Sequence, residues 1–373
     1  MNWLETLGEL SAITALSGHE EPMIAYMKEH FAPFVDDMEV DALGNVICRI
    51  RGRSGSGGSG GVSAGGVTSG PAMVFAHMDE LGLIVRKVEA TGYLRVVRVG
   101  GIPERVLQGQ RVVLTGDAGL VYGVIGVKSH HVTTADEKYK VVPVDDCYID
   151  IGAGSVDEVE ALGVHVGTPI TYDIALRTMP GGLVTGKALD DRLGCAALLA
   201  LAERLHADRP ALDVALVATV QEEFNIRGVL PAAYALEPTL GICLDVAVAH
   251  DTPDLAARAD LALGRGPVIG YYSFHGRGTL GGLIPNPKLR QGIEDTARRL
   301  VMPVQRNVFF GGLGDSSFMQ LVRRGIPAVD VGFPCRYTHT PVETAAIADA
   351  EAAATLVAEY LLGLEQVPDF SRG

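Results

Sequence analysis

Histidines and carboxylates stand at the ends of the predicted strands of this sequence. Each group follows an apolar run or begins a helix: His77-Met78-Asp79-Glu80 after 72–76, Gln221-Glu222-Glu223 after 214–220, Asp245 after 240–244, His339 after the strand around Val331, and Asp190-Asp191 at a helix start. In open α/β sheets, functional groups lie beyond the carboxyl ends of the strands. We therefore expect these side chains to meet at one edge of a sheet.

Together these groups predict a site for two divalent cations. Imidazole and carboxylate are good ligands for Zn, Co or Mn. Taken singly, each has an ordinary explanation, since Asp-Asp before a helix is usually a cap and adjacent glutamates usually lie in a solvated turn. So many carboxylates in one cleft would repel one another without cations between them. The coincidence therefore favours a metal centre.

The spacing of these residues also indicates roles. His77 and Asp79 lie on the same side of an extended segment, so Asp79 can hydrogen-bond the nitrogen of His77 that faces away from a metal. Glu222 and Glu223 point in different directions if the backbone is extended there. One of them can then bind metal while the other acts as a general base toward the attacking water.

The elements that position these residues predict an α/β fold. After residue 187, helices alternate with strands, with one helix from Asp315 and a last helix at 344–364, which is typical of a mixed, mostly parallel sheet between helices. Residues 83–178 instead contain many short β segments with Gly, Pro and Asp turns. We read 1–82 and 179–373 as one catalytic domain, interrupted by an inserted all-β, barrel-like domain at 83–178.

Segment 52–70 consists almost entirely of Gly, Ser, Ala and Val. Such a segment cannot bury enough apolar area to offset its ordering entropy, which favours a flexible surface loop. A phosphate-binding nest is the alternative, but no Gly-Lys-Ser/Thr follows.

Composition excludes several classes of protein. The formal net charge is −14, from 31 basic and 45 acidic residues, which argues against a nucleic-acid partner. No apolar run approaches the roughly 20 residues that span a bilayer, so no membrane role is expected. The start of the chain lacks the basic stretch of a signal peptide, and the five cysteines form no paired framework. A reducing cytoplasm is the simplest expectation, with Cys195, Cys243 and Cys335 as core residues.

Six motifs in this order carry a resemblance to a known family: AHMDELG (76–82), KALDDRLG (187–194), QEEFNIRG (221–228), CLDVA (243–247), GGLGDSSF (311–318) and CRYTHTPVE (335–343). The sequence resembles the glutamyl aminopeptidase / tetrahedral aminopeptidase family of dinuclear metallo-aminopeptidases, some of whose members carry an endoglucanase label. The resemblance implies a zinc-exopeptidase-like fold that hydrolyses the N-terminal residue from peptides. It also implies a homo-oligomer, with dimers formed by the β insertion and a tetrahedral dodecamer built from them.

The resemblance assigns the site residues one by one. Asp190 bridges two metals, for which Zn is expected before Co or Mn. One metal is also held by His77 and Asp245, and the other by Glu223 and His339. Glu222 is then the general base, and Asp79 orients His77.

Other functions remain open from the sequence. A deacylase or carboxypeptidase of the same clan would use the same metals on another amide, and a non-catalytic metal- or peptide-binding scaffold could keep the fold. A glycosidase would need an acid/base carboxylate pair without tightly held metals. The variants EEFNIRG and GGLGDSS leave the preferred N-terminal residue open. Arg277 and Arg336 could favour an acidic one, although such arginines more often form salt bridges.

Overall fold

The computed structural model describes residues 1–53, 70–276 and 281–372. Most of the predicted loop 52–70 and Arg277 lie outside the described residues. The helices of the described part are α1 (Trp3–Ala12), α2 (Glu21–Phe31), α3 (Val156–Ala161), α4 (Leu189–Ala207), α5 (Val229–Leu236), α6 (Pro287–Arg299), α7 (Ser316–Met319) and α8 (Ile347–Leu362). None of these helices is both long enough and apolar enough to cross a bilayer.

The described strands fall into a large sheet and a barrel. In chain order they are β1 (Asp37–Val40), β2 (Val46–Ile50), β3 (Ala72–His77), β4 (Gly82–Val88), β5 (Leu94–Val99), β6 (Arg111–Gly116), β7 (Gly119–Ile125), β8 (Ile149–Asp150), β9 (Pro169–Tyr172), β10 (Arg177–Met179), β11 (Leu183–Gly186), β12 (Val214–Thr219), β13 (Leu240–Cys243), β14 (Val246–Val248), β15 (Val268–Phe274), β16 (Gln305–Phe310), β17 (Ala328–Arg336) and β18 (Glu343–Ala346).

The large sheet confirms the predicted mixed α/β architecture. It has 12 strands along the path β1-β2-β12-β3-β13-β17-β18-β11-β10, with β14, β15 and β16 joined to β17 and to each other. The central strands β12, β3, β13 and β17 run parallel, whereas the flanking strands pair antiparallel. All six residues of β3 are buried, as expected of a central parallel strand.

Helices cover both faces of this sheet. The apolar side chains of α1, α2, α4, α6 and α8 form the larger core on one face, and those of α5 and α7 form a smaller core on the other. Burial of apolar surface is the dominant force that holds such layers together. Cys195, Cys243 and Cys335 are buried here, which confirms them as core residues.

The β insertion forms a separate closed barrel. Its strand order is β4-β5-β8-β7-β6-β9, and it has its own apolar core. The chain enters the barrel directly after β3 and returns to the large sheet through β10 and β11. The short helix α3 also lies in this region.

Two predicted helices were wrong in extent. The last one begins at Ile347, because Glu343–Ala346 pairs as strand β18 with β11 and β17. The helix predicted from Asp315 lasts only over Ser316–Met319. In the first case, sheet pairing overrides the helical preference of an alanine-rich segment.

Candidate metal centre

The sheet register explains why the predicted site residues meet. His77 ends β3 and pairs in register with Thr219, the last residue of the parallel strand β12. Glu222 and Glu223 follow β12 within four residues, and Asp245 follows β13, the other parallel neighbour of β3. Three adjacent strand ends therefore deliver an imidazole and three carboxylates to one edge of the sheet.

Asp190 lies between the two histidines. Its Oδ1 is 3.1 Å from Nε2 of His77, and its Oδ2 is 3.6 Å from Nε2 of His339. The same His339 nitrogen is 3.7 Å from Oε1 of Glu223. A carboxylate with one oxygen toward each histidine has the geometry of a ligand shared by two cations. The peptide bond that joins it to Asp191 is cis.

The described residues contain three sets of potential metal ligands, and within each set the ligand atoms lie within 4.8 Å of one another. The sets are His77, Asp191 and Asp245; His77, Glu222 and Glu223; and Asp190, Glu223 and His339. The structure thus brings together every residue that the sequence suggested as a metal ligand. It also adds Asp191, to which no role was assigned from the sequence. Its position beside Asp190 in the KALDDRLG motif was the available signal.

Asp79 is fully buried and holds two parts of the site together. Its Oδ1 accepts a hydrogen bond from the backbone N–H of Glu222, and its Oδ2 accepts one from that of Glu223, both at 3.0 Å. Oδ2 also accepts a 2.6 Å bond from the hydroxyl of Ser17. Nδ1 of His77 lies 3.1 Å from the carbonyl of Asp79 and 3.5 Å from its Oδ1. Asp79 therefore fixes the Glu-Glu turn as well as the ring of His77.

Glu343 is a positioning residue that sequence reasoning missed. It is buried, its Oε2 accepts the backbone N–H of Asp190 at 3.0 Å, and its Oε1 accepts that of His339 at 2.8 Å. The Glu343 carboxylate thus positions the backbone of two candidate ligands, Asp190 and His339. Its only sequence signal was its place at the end of the motif CRYTHTPVE.

A buried ion pair supports the segment that follows His77. Nζ of Lys187 donates to both carboxylate oxygens of Glu80, at 2.8 and 2.9 Å, and to the carbonyl of Ile13 at 3.1 Å. Arg192 donates to the carbonyl of Met78. Arg192 lies near the start of α4, and Lys187 lies two residues before that helix. The ion pair and the Arg192 hydrogen bond therefore connect the segment after β3 to the start of α4.

Replacing Lys187 with methionine is expected to lower the free energy of unfolding by about 3–5 kcal/mol, because it leaves the buried Glu80 carboxylate without its main partner. Urea denaturation followed by circular dichroism measures this change. Lys288→Met is the control, since Lys288 forms an exposed pair with Asp369 at 3.6 Å that should contribute at most about 1 kcal/mol. Equal stability of the two variants would contradict a structural role for the buried pair.

The electrostatics of the site fit bound cations. Burial raises the pKa of Glu223 to about 7 and raises the pKa values of Glu222 and Asp245 well above the ordinary range. The Glu223 carboxylate in turn raises the pKa of His339 to about 9. Oε1 of Glu223 and Oδ2 of Asp191 are buried without a hydrogen-bond partner. Unsatisfied buried carboxylate oxygens are costly, and divalent cations would satisfy them.

A cavity of about 390 Å³ opens onto these residues. Beyond the site itself, its walls come mainly from β15, β16, β17 and the loop before α7. The described lining residues outside the candidate ligands include Tyr272, Ser273, Leu283, Asn307, Phe309, Leu313 and Asp330. Arg336 is not among them, because its guanidinium forms a double ion pair with Asp251 at 2.6 and 2.7 Å.

Comparison with known proteins identifies the family. The model of the M42 glutamyl aminopeptidase family matches residues 58–356. The chain belongs to this family of metal-dependent aminopeptidases, which confirms the resemblance that the six motifs suggested.

Individual relatives cover nearly the whole chain. A putative aminopeptidase SgcX of Escherichia coli is 41% identical over 345 residues, which is 92% of this chain and 89% of the relative. Among solved structures, aminopeptidase APDkam598 from Desulfurococcus kamchatkensis is 34% identical, covers 99% of this chain and 96% of its own, and has a TM-score of 0.89. The Pyrococcus horikoshii TET1 peptidase, which can assemble into a tetrahedron or a large octahedral shell, is 27% identical over 97% of this chain and 100% of its own, with a TM-score of 0.84.

Proposed function

We propose that this protein is a dinuclear metallo-aminopeptidase that releases the N-terminal residue of peptides. The observation that carries the proposal is the position of Asp190, with one oxygen toward His77 and the other toward His339. In this assignment Asp190 binds both metals, His77 and Asp245 complete one site, and Glu223 and His339 complete the other. Imidazole and carboxylate ligands suit zinc first, with cobalt and manganese as alternatives.

Glu222 is the proposed general base. Its backbone N–H donates to Asp79, and its side chain lines the cavity. Of the three sets of potential ligands in the described residues, Glu222 belongs to one, with His77 and Glu223. Two divalent ions, when bound, would polarise the scissile carbonyl and lower the pKa of a water. Glu222 takes a proton from the attacking water as its oxygen bonds to the carbonyl carbon. It then delivers that proton to the leaving amine as the C–N bond breaks.

A free α-amine could bind one of the metals and a nearby carboxylate, which would restrict hydrolysis to the first peptide bond and supports exopeptidase action. The test compares a peptide with a free N-terminus and its N-acetylated form, with products identified by mass spectrometry. We expect stepwise loss of N-terminal residues from the free peptide and no cleavage of the acetylated one. Release of acetate would identify a deacylase, release of C-terminal residues a carboxypeptidase, and no turnover with metals bound a binding scaffold. Any of these results would contradict the proposal.

We further propose that residues 83–178 form an oligomerisation domain for the catalytic domain of 1–82 and 179–373. We call the exposed apolar side chains on and after β7 the barrel face: Leu120, Tyr122, Val124, Val127, Val132, Tyr139 and Val141. Tyr122 is 63% exposed and Tyr139 is 91% exposed. Contiguous exposed apolar residues often mark a protein interface. A homo-oligomer would cover this face, and the assembly of the TET1 peptidase into shells supports such an oligomer.

Charges on the barrel face should break this assembly. Tyr122→Glu combined with Val132→Glu is expected to shift the protein to a smaller species in size-exclusion chromatography with light scattering, because a buried unpaired charge is costly. Val301→Glu is the matched control, since Val301 is 89% exposed and lies outside the barrel. A wild-type protein that is monomeric at micromolar concentration would overturn the proposed oligomer.

A further inference from the structure

Asp330 is an acidic residue of the cavity that the proposed metal site does not use. It lies within β17 and pairs in register with Cys243 of β13, two residues before Asp245. Strands rise about 3.3 Å per residue, so Asp330 lies roughly 7 Å along the sheet from that candidate ligand. It belongs to none of the sets of potential metal ligands found in the described residues. Asp330 therefore belongs to the cavity wall rather than to the metal centre.

One oxygen of the Asp330 carboxylate lacks a hydrogen-bond partner, and the hydroxyl of Ser316 lies near this carboxylate. Its Oδ1 is buried without a hydrogen bond. Buried polar atoms in native proteins are nearly always paired, and an unpaired carboxylate oxygen is especially unfavourable. Burial raises the pKa of this carboxyl to about 6, so it is mainly ionised at neutral pH. Such an oxygen in a cavity wall is suited to a charged donor from a ligand.

Two glycines of the cavity wall lie in close contact with Asp330 and with the backbone of Asp245. Gly270 of β15 and Gly332 of β17 both line the cavity. A Cβ at Gly270 would stand 3.1 Å from Cβ of Asp330 and 3.5 Å from its Oδ2. A Cβ at Gly332 would come within 2.4 Å of the carbonyl oxygen of Asp245. Side chains at these positions would displace Asp330 or the backbone of Asp245, so the glycines allow the cavity wall between the metal site and Asp330 to keep its shape.

The other walls fit the aliphatic part of a long side chain. Leu283, Phe309 and Leu313 line the cavity between the sheet and the loop before α7. Among the described lining residues there is no lysine or arginine that could neutralise Asp330. Away from the candidate ligands and Glu222, the cavity therefore joins an apolar wall to a carboxylate with one unpaired oxygen, which suits a basic side chain and repels an acidic one.

We infer that Asp330 selects peptides whose N-terminal residue is lysine or arginine, by accepting a hydrogen bond from its cationic group. The inference rests on the proposed aminopeptidase function. The scissile carbonyl lies at the candidate ligands, the aliphatic stem packs along Leu283 and Phe309, and the ammonium or guanidinium reaches Asp330. Asp330 is thus a specificity residue for this reaction, and its role is separable from metal binding and from proton transfer.

The test measures kcat/KM for lysyl, arginyl, methionyl, leucyl and glutamyl p-nitroanilides, with the zinc-loaded enzyme. Methionine has an unbranched stem of similar length without the charge, so the lysyl-to-methionyl ratio isolates the cationic group. In the wild type we expect this ratio to exceed about 10, as for a charge-assisted hydrogen bond in a buried site. Asp330→Asn should lower kcat/KM for lysyl and arginyl substrates by about 10- to 100-fold, chiefly through KM.

Controls separate specificity from folding. Asp330→Asn should leave methionyl and leucyl hydrolysis and the metal content unchanged, and Asp330→Glu should keep a preference for basic residues. Asp260→Asn, an exposed Asp-to-Asn change, should match the wild type on every substrate. A uniform loss on all substrates in Asp330→Asn would indicate a structural role and overturn the inference.

The wild-type profile tests the inference even if the variant does not fold. A preference for methionyl, leucyl or glutamyl substrates over lysyl and arginyl ones would overturn the role of Asp330 and leave the aminopeptidase proposal intact. No hydrolysis of any aminoacyl substrate with zinc bound would instead defeat the proposed function itself.

Discussion

Glu222→Gln is expected to lower turnover by about 10²–10⁴-fold while leaving both metals bound. Glutamine keeps the shape and hydrogen-bonding capacity of the side chain but cannot accept a proton from the attacking water. Glu222 is assigned no metal, so the ligand set is unchanged. Steady-state kinetics together with elemental analysis of the same preparation measures both quantities, and KM should change little because the cavity keeps its shape.

Glu223→Gln is the matched comparison, because it makes the same chemical change one residue away. Glu223 faces His339 and is assigned to a metal, so this variant should lose affinity for one metal along with activity. The pair of variants separates proton transfer from metal binding. Wild-type turnover in Glu222→Gln with both metals present would place the base elsewhere and refute the proposed mechanism.

Asp190→Ala is expected to reduce occupancy of both metal sites and abolish measurable peptide hydrolysis. Asp190 has one carboxylate oxygen toward each histidine, so its loss removes a ligand from each site. His339→Ala should mainly empty the site that it shares with Glu223. Metal content after dialysis against metal-free buffer, measured by inductively coupled plasma mass spectrometry, distinguishes the two variants.

The outcome for Asp190 also tests the role of Asp191. If Asp190→Ala retained two full equivalents of metal, the bridging assignment would be wrong, and Asp191, which lies near His77 and Asp245, would be the next candidate. A fully occupied His339→Ala variant would contradict the allocation of His339 to a metal. Circular dichroism of each variant shows whether the fold is retained.

The sequence predicted which site residues would meet, because the positions of these residues follow from sheet topology. His77, Glu222 and Asp245 each follow an apolar run, and parallel strands bring such positions to the same edge. The periodic pattern of 83–178 likewise indicated short β segments, and the structure closes them into a barrel. These features depend on local patterns that a single sequence contains.

Other features depend on contacts between distant segments. Ser17 is 62 residues from Asp79, and Glu343 is 153 residues from Asp190, so no local pattern indicates either hydrogen bond. The alanine-rich segment at 343–346 has helical character but becomes a strand because two neighbouring strands pair with it. Asp330 lies within an apolar strand, and only the folded cavity shows that one of its carboxylate oxygens lacks a hydrogen-bond partner.

The most direct test of the central claim is a metal titration of the wild-type enzyme. The protein is stripped with a chelator until its metal content is below about 0.1 equivalent per chain, and zinc is then added in steps while release of the N-terminal residue from a free peptide is followed. A dinuclear metallo-aminopeptidase should be inactive when stripped and should regain activity up to about two equivalents per chain, where the rate should level off. Undiminished activity in the stripped protein would contradict the assignment of this site as a catalytic metal centre.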